Sequence, residues 1–365
     1  MYPTKSPGPD GMPPLFFQHY WDTIGDDITV AVQSFLHSGQ ILKQINFTHI
    51  CLIPKVPSPE HMSDLRPIAL CNVIYKICSK VIANTLKFIL LEVISPFQSA
   101  FVPGRLITDN ILVANEIAHF VHNKREGADG FMALKLDLSK AYDRMEWLFL
   151  RKVLEIFGFA AIWIDIVMQC VSTVRYSFLV RGKPRGFVIP SRGLRQGDPL
   201  SPYLFLLGVE GFSALLKQKQ LLGLLPGIKI CEGAPSVNHL LFADDSMLYA
   251  NATLENCYQI QDVLDTYGRA SGQLVNFQKS SVVFSRNVPE FLQEDISSFR
   301  GVETVDSHEK YLGLPTYVGR KKTATFQFIK EKLGKRILNW QGKLLSGAGR
   351  DILIRVVAQS PLIML

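Results

Sequence analysis

Two acids stand side by side in "HLLFADDSMLYA", residues 239 to 250. Asp244 and Asp245 lie between the apolar runs 240–243 and 247–250. Asp favours turns because its side chain bonds the nearby backbone, so the segment reads as two short strands joined by a tight hairpin. Two carboxylates at one apolar-flanked tip also repel each other unless a proton or a cation intervenes. A divalent cation resolves the repulsion, but metal chemistry asks for a further ligand from elsewhere in the chain.

Asp137, in "ALKLDLSKAYDRMEW", is the candidate partner. Strict alternation in "FMALKLDLS" predicts a strand with Ala133, Lys135 and Asp137 on one face and Leu134, Leu136 and Leu138 on the other. An acid in such a strand is costly to bury without a counter-charge, and a solvated face shared with Lys135 is the alternative. If this strand pairs beside the 239–250 hairpin, Asp137 and Asp244 converge. Three carboxylates there suit two Mg2+ ions, because Mg2+ takes oxygen ligands and keeps positions open for water and phosphate. Two ions about 3.5–4 Å apart activate an attacking oxygen and stabilise a leaving one. That chemistry fits nucleotidyl transfer, and equally a two-metal nuclease or phosphatase; spacing alone does not separate them.

The elements that must position these acids are mixed. Helical periodicity covers 12–38, 72–94, 107–123, 143–157 and 160–172, with Gly39 as a stop signal. Pro199 opens an apolar helix to about 217, and Thr253 to Ser271 forms an amphipathic helix that Gly272 ends. "INFTHICLIPK" reads as a strand, "PSPEHMSDLRPI" as a loop, and "YSFLVRGKPRGFVIP" as a hairpin around Gly182-Lys183-Pro184. "SSVVFS" and "YLGLPTY" read as short extended pieces, the latter as a short buried strand, and a basic helical segment runs from about 322. Strands separated by helices, with hairpins among them, predict an α+β fold.

The 365 residues are too many for one ordinary core and suggest two or three subdomains. A hydrophobic fraction of 47% excludes global disorder. The net charge of +7 is compatible with a polyanionic partner. The six Cys show no Cys-x-x-Cys spacing and no zinc cluster with His, so a reduced, intracellular setting, nuclear or cytoplasmic, is expected. The polar, Pro/Gly-rich "MYPTKSPGPDG" is not a signal peptide, and the most apolar stretch is broken by Arg151, Lys152, Glu155 and Asp165, so no membrane partner is expected.

"LDLSKAYDRMEW", "GLRQGDPLSPYLF", "FADD" and "GQLVNFQKS" resemble, in order, the A, B, C and D motifs of reverse transcriptases. "SPGPDGM", "LIPK", "LRPIALCNVIYKI", "QSAFVPGR" and "YLGLP" narrow the resemblance to non-LTR (LINE-type) retrotransposon reverse transcriptases, particularly those of plants. The resemblance runs from about residue 5 to the end. It implies a right-hand polymerase: fingers over most of 1–130, a palm over 131–315 with an interleaved fingers segment near 160–195, and a partial, truncated thumb over 316–365. The palm is expected to be a small antiparallel sheet backed by helices. The implied activity is RNA-directed DNA synthesis with an RNA template, a DNA primer, dNTPs and two Mg2+ (or Mn2+). The alternative is a truncated, inactive remnant that folds and binds nucleic acid.

The resemblance also implies roles. Asp137, Asp244 and Asp245 match the metal-binding triad, the third less directly engaged. Tyr142 matches the bulky residue that rejects a ribose 2′-hydroxyl; a plain core aromatic is the other reading. Lys55 and Arg66 match the cations that hold the incoming triphosphate. Gln196 and Gly197 match the segment under nucleotide and template; "RQGDP" alone also reads as a helix-entry loop. Lys279 matches the lysine that protonates departing pyrophosphate, and Tyr311, Leu312, Gly313 and Leu314 match the primer grip.

Overall fold

The computed structural model describes residues 1–308, 310–318, 322–338, 346–347 and 351. Among the described residues nine strands form two sheets, and helices fill the space around them. The first sheet contains β1 (Phe47–Pro54), β2 (Leu65–Cys71), β4 (Arg175–Val180) and β5 (Lys183–Val188), in the order β2-β1-β4-β5. The second contains β3 (Phe131–Leu136), β6 (His239–Phe242), β7 (Asp245–Asn251), β8 (Ser281–Phe284) and β9 (Glu303–Thr304), in the order β6-β7-β3-β8-β9. Pairing is antiparallel except at β1–β4 and β8–β9.

The second sheet is two-sided because β3 alternates as its sequence dictates. Met132 and Leu136 face the main core, which holds the helices Trp147–Ile156, Ser201–Leu221 and Leu254–Ser271. Ala133 faces a second cluster with Met247, Tyr249, Tyr311 and Ile117, the last from the helix Ile107–Asn123. The helix Ser201–Leu221 is apolar around most of its circumference through its first half, which is enclosed, and becomes polar and exposed towards Leu221. Thr253 caps Leu254–Ser271 by accepting from the Asn256 amide, and Gly272 closes it at φ +77°. Only glycine fits at 272: a Cβ there would lie 2.5 Å from the Arg144 carbonyl.

Several expectations need correction. "LRPI" is not loop but the start of β2, after a single 3-10 turn, Met62–Asp64. Pro67 weakens the strand signal, yet β2 is an edge strand, where a missing amide is tolerated. The hairpin expected around Gly182-Lys183-Pro184 turns one step earlier, at Arg181-Gly182, both at positive φ, and Lys183 and Pro184 lie in β5. "YLGLP" is not a buried strand but a tight turn in which Tyr311 and Leu314 exchange backbone hydrogen bonds. The helix expected over 12–38 is Pro14–His19 and Trp21–Ser38; that over 72–94 is Val73–Lys87 and Leu90–Val93; that over 143–157 is Ala141–Arg144 and Trp147–Ile156. The helix Glu290–Arg300 was not foreseen. The basic C-terminal segment is helical over Lys322–Thr325 and Gln327–Leu338; most of its continuation to 365 lies outside the described residues.

Candidate active site

The acids meet at one end of the second sheet. Phe242 pairs with Asp245, so Ala243 and Asp244 form a two-residue hairpin loop. Ala243 has φ +54° and Asp244 has no positive φ, the pattern of a type II′ turn. That turn favours glycine at its first central position, so alanine there stores about 1 kcal/mol or more of backbone strain. β3 runs antiparallel to β7, and its last pair is Leu136 with Ser246. The next step of the same register sets Asp137 opposite Asp245, with the Asp244 turn just beyond.

Asp137 and Asp245 are half-buried and Asp244 is exposed. Burial pushes the Asp137 carboxyl up from the usual aspartate value; Asp244 adds to the rise, while Lys279, Lys135 and Lys55 oppose it. Burial also raises Asp245, reinforced by the charges of Asp244 and Asp137. The three carboxylates thus feel one another, and three lysines feel Asp137.

Each lysine arrives from a different segment. Lys279 ends a 3-10 turn, Phe277–Lys279, that is stitched to the Asp137 backbone: the Asn276 amide donates to the Asp137 carbonyl at 2.8 Å, and the Asp137 amide to Ser280 Oγ at 3.2 Å. Lys135 lies on β3 and donates from Nζ to the Lys310 carbonyl at 2.7 Å. Lys55 follows β1, is exposed, and bonds its own loop through the Ser63 carbonyl at 2.9 Å. Arg66 is exposed on β2 opposite Ile53, and no described contact joins it to the acids.

Tyr142 stacks flat on Phe205, centroids 4.7 Å apart and 11° from parallel. Its phenol is raised by burial and then by Asp244, which places it within reach of the acid turn. Core packing and proximity to the site therefore hold together. Gln196 and Gly197 lie against the edge of β2: the Ala69 amide donates to the Gln196 carbonyl at 2.8 Å, and a Cβ at Gly197 would come within 3.2 Å of the Ala69 carbonyl. Tyr311 is 2% exposed, Leu312 and Gly313 take positive φ, and Asp245 adds to the burial that raises the Tyr311 phenol. The 311–314 turn therefore packs beside the third acid.

Several supporting residues escaped the sequence reading. Arg195 and Asp198 form an ion pair at 3.0 Å with side chains 3% and 2% exposed. Arg195 also donates to Asn46 Oδ1 and the Cys170 carbonyl and lies 3.9 Å from the Tyr75 ring centroid, while Tyr75 donates to Asp198 at 2.6 Å. This network clamps the Gln196-Gly197 loop from below. His308 donates to the Ala133 carbonyl and sits beside Ser281 Oγ, with burial lowering its pKa to about 4, so it ties the approach to 311–314 onto β3 and β8 as a neutral group. Gln98 touches the acid turn itself. Only Gln98, in "ISPFQSAFV", carries a local signal as a polar residue in an apolar stretch; Arg195 and His308 stand among polar residues and show none.

Among the described residues, no three His, Cys, Asp or Glu side chains close into a metal cage. The donor set is instead open and made of carboxylate oxygen, held by elements whose charges repel. That suits Mg2+, which keeps waters and takes one or two carboxylates beside phosphates, and does not suit a closed zinc site.

The chain is similar in structure to telomerase from Candida albicans, solved in complex with a fragment of telomeric RNA, at a TM-score of 0.51 and 14% identity over 96% of this chain and 59% of that one. The fold is thus α+β of the right-hand polymerase kind. The family model described as reverse transcriptase (RNA-dependent DNA polymerase) matches residues 53–316, and the chain belongs to that family, within its non-LTR retrotransposon branch. It is 31% identical to the transposon TX1 149 kDa protein of Xenopus laevis over 98% of its length. It is 26% identical over 90% of its length to the Pol polyprotein of the type-2 retrotransposable element R2DM of Drosophila melanogaster. It spans 27% and 30% of the length of these two relatives.

Proposed function

We propose that this chain extends a DNA primer with dNTPs on an RNA template, as the reverse transcriptase part of a plant non-LTR element. The observation that carries the reading is the placement of Asp137 at the end of β3, one register step from Asp245 and beside the Asp244 turn. Lys279 and Lys55 act electrostatically on the same carboxyl. The plant assignment is supported by the spelling of the flanking motifs. The six free thiols support an intracellular setting.

In this reading Asp137 and Asp244 hold two divalent ions, with Asp245 less directly engaged. When bound, such ions activate the primer 3′-hydroxyl and stabilise the leaving pyrophosphate. Lys55 and Arg66 offset the charge of the incoming triphosphate from the β1–β2 side. Tyr142, held flat by Phe205, fills the volume a 2′-hydroxyl needs. Gln196 and Gly197 present backbone to the nucleotide and template. Lys279 gives its proton to the departing pyrophosphate oxygen. The 311–314 turn holds the primer end against the Asp245 side. We assign residues 1–130 for the most part, with 160–195, to the fingers and the rest of 131–315 to the palm, supported by the β4–β5 hairpin joining the sheet of β1 and β2.

The test is primer extension on an RNA template with Mg2+ and dNTPs, comparing wild type with Asp244→Asn. Extension by wild type and none by the variant is expected. Binding of template-primer without extension by wild type rejects the reading. Cleavage of labelled nucleic acid without dNTPs would mark a nuclease instead.

A further inference from the structure

The segment 94–105 lies outside the site just described, yet it grips the turn that carries Asp244. Phe97 accepts from the Leu241 amide at 2.8 Å, Ser99 donates back to the Leu241 carbonyl, and Gln98 forms a parallel bridge to Leu241. The segment therefore acts as a short extra strand on the free edge of β6. Its Gln98 side chain, 1% exposed, reaches one step further. Oε1 accepts from the Ala243 amide at 3.0 Å and from the Ala100 amide at 3.0 Å.

The Ala243 amide belongs to the first central residue of the turn, the one held at φ +54°. The amide therefore needs an acceptor from elsewhere once it is buried. Gln98 supplies it, and two converging N–H groups fix which way its own amide faces. The cost is visible: Gln98 Nε2 is buried with no hydrogen-bond partner among the described residues, which is unfavourable for a polar group. A carboxylate could accept the same two bonds without leaving an orphan, but it would add a further negative charge beside a cluster already repelling itself.

Gln98 is itself immobilised. Arg105 donates to the carbonyls of Ile94, Ser95 and Gln98. Glu210, in the helix Ser201–Leu221, accepts from the Ser95 amide at 2.9 Å. Asn110 donates to the Leu241 carbonyl at 2.8 Å and accepts from Ser99 Oγ at 2.8 Å. Arg105, Asn110 and Glu210 thus hold the backbone of the segment from which the Gln98 side chain reaches the turn.

We propose that Gln98 is a positioning residue: through the Ala243 amide it holds the strained turn so that the Asp244 carboxylate stands ready for a divalent ion. The inference rests on the reading of Asp244 as a metal ligand. It assigns Gln98 no contact with substrate. It makes the metal affinity of the resting protein depend on a neutral acceptor one residue away from the ligand.

The test is titration of the purified chain with Mn2+ by calorimetry, without nucleic acid or nucleotide, well below the thermal transition. Wild type, Gln98→Met and Gln98→Glu are compared, and RNA-templated extension is measured in parallel. Gln98→Met, similar in length but without an acceptor, should weaken Mn2+ binding about 10-fold, the usual scale for losing a partner that orients a ligand. Gln98→Glu, which keeps the acceptor, should bind at least as tightly as wild type. Equal Mn2+ affinity in Gln98→Met and wild type overturns the inference, whatever its effect on melting temperature. Equal weakening in both variants also overturns it, because loss of packing would then explain both. If wild type binds Mn2+, Gln98→Met weakens it and neither extends a primer, the positioning role stands and the polymerase reading of this chain falls.

Discussion

Tyr142 lies parallel to Phe205, ring on ring at 4.7 Å, and the same phenol feels the charge of Asp244. A gate against a 2′-hydroxyl must be rigid, and this stack supplies rigidity from the core side. Tyr142→Val should raise rNTP incorporation relative to dNTP by about 10-fold or more, since a steric exclusion worth over 1.4 kcal/mol is removed. Tyr142→Phe should keep selectivity, and Phe205→Leu should relax it in part by loosening the ring. The check is the ratio of kcat/KM for matched dNTP and rNTP. An unchanged ratio in Tyr142→Val removes the gate assignment.

The raised carboxyls have a thermodynamic consequence. Asp137 and Asp245 ionise less readily in the fold than at the ordinary value of 3.8. The folded state therefore binds more protons than the unfolded state between that value and the raised ones, and stability falls as pH rises through this window. Above it the penalty is complete. Asp137→Asn should then raise the melting temperature at pH 7 in EDTA, and the gain should shrink as the pH approaches 3.8. Mg2+ should raise the melting temperature of wild type and do less for the variant. A lower melting temperature for Asp137→Asn in EDTA at pH 7 would contradict this account.

The turn that carries Lys279 is tied to the Asp137 backbone through Asn276 and Ser280, so its exposed side chain starts from a fixed point beside the acids. If it protonates pyrophosphate, Lys279→Ala should slow single-turnover chemistry by about 100-fold or more and remove the basic limb of the pH–rate profile. Lys279→Arg should restore binding of dNTP more than rate, because its pKa is too high for the proton transfer. A change in dNTP KM alone, with rate intact, would reduce Lys279 to a charge.

The Arg195–Asp198 pair should behave as a buried pair, not a surface one. Arg195→Met leaves a carboxylate about 2% exposed without its cation, a loss on the order of 3–5 kcal/mol. The double variant Arg195→Met/Asp198→Asn should be more stable than the single one, because the stranded charge is gone. Urea unfolding of the three proteins checks the order. A double variant less stable than the single would mean that Asp198 acts mainly through Tyr75 and the Leu200 amide.

Local signals carried much of the architecture. The helix 107–123 was readable end to end because its apolar period is unbroken, and β3 because its alternation is strict. The hairpin tip at Asp244 was readable because both flanks are apolar and short. Where the local signal conflicted with the context, the reading failed. Pro67 argues against a strand, and only the edge position of β2 makes it harmless. In "YLGLP" the apolar residues mimic a strand, whereas Leu312 and Gly313 turn the chain back at once. The helix Glu290–Arg300 carries three acids, Glu290, Glu294 and Asp295, which masked its short apolar face. Gln98, Arg195 and His308 were invisible for a different reason: beside any near partner, each also bonds a residue more than one hundred positions away.

The parallel pairing of β1 with β4 joins Phe47 to Arg175. On a ribosome, β1 must therefore wait for roughly 130 further residues, about 6–26 s at ordinary elongation rates of 5–20 residues per second. During that interval β2 can cover one side of β1 by a local hairpin, while the other side remains an open row of amides and carbonyls. The half of the molecule made first is thus completed late. Slower synthesis between residues 72 and 174 would prolong the exposure of a sticky nascent edge, and a chaperone binding the newborn chain would find its target there.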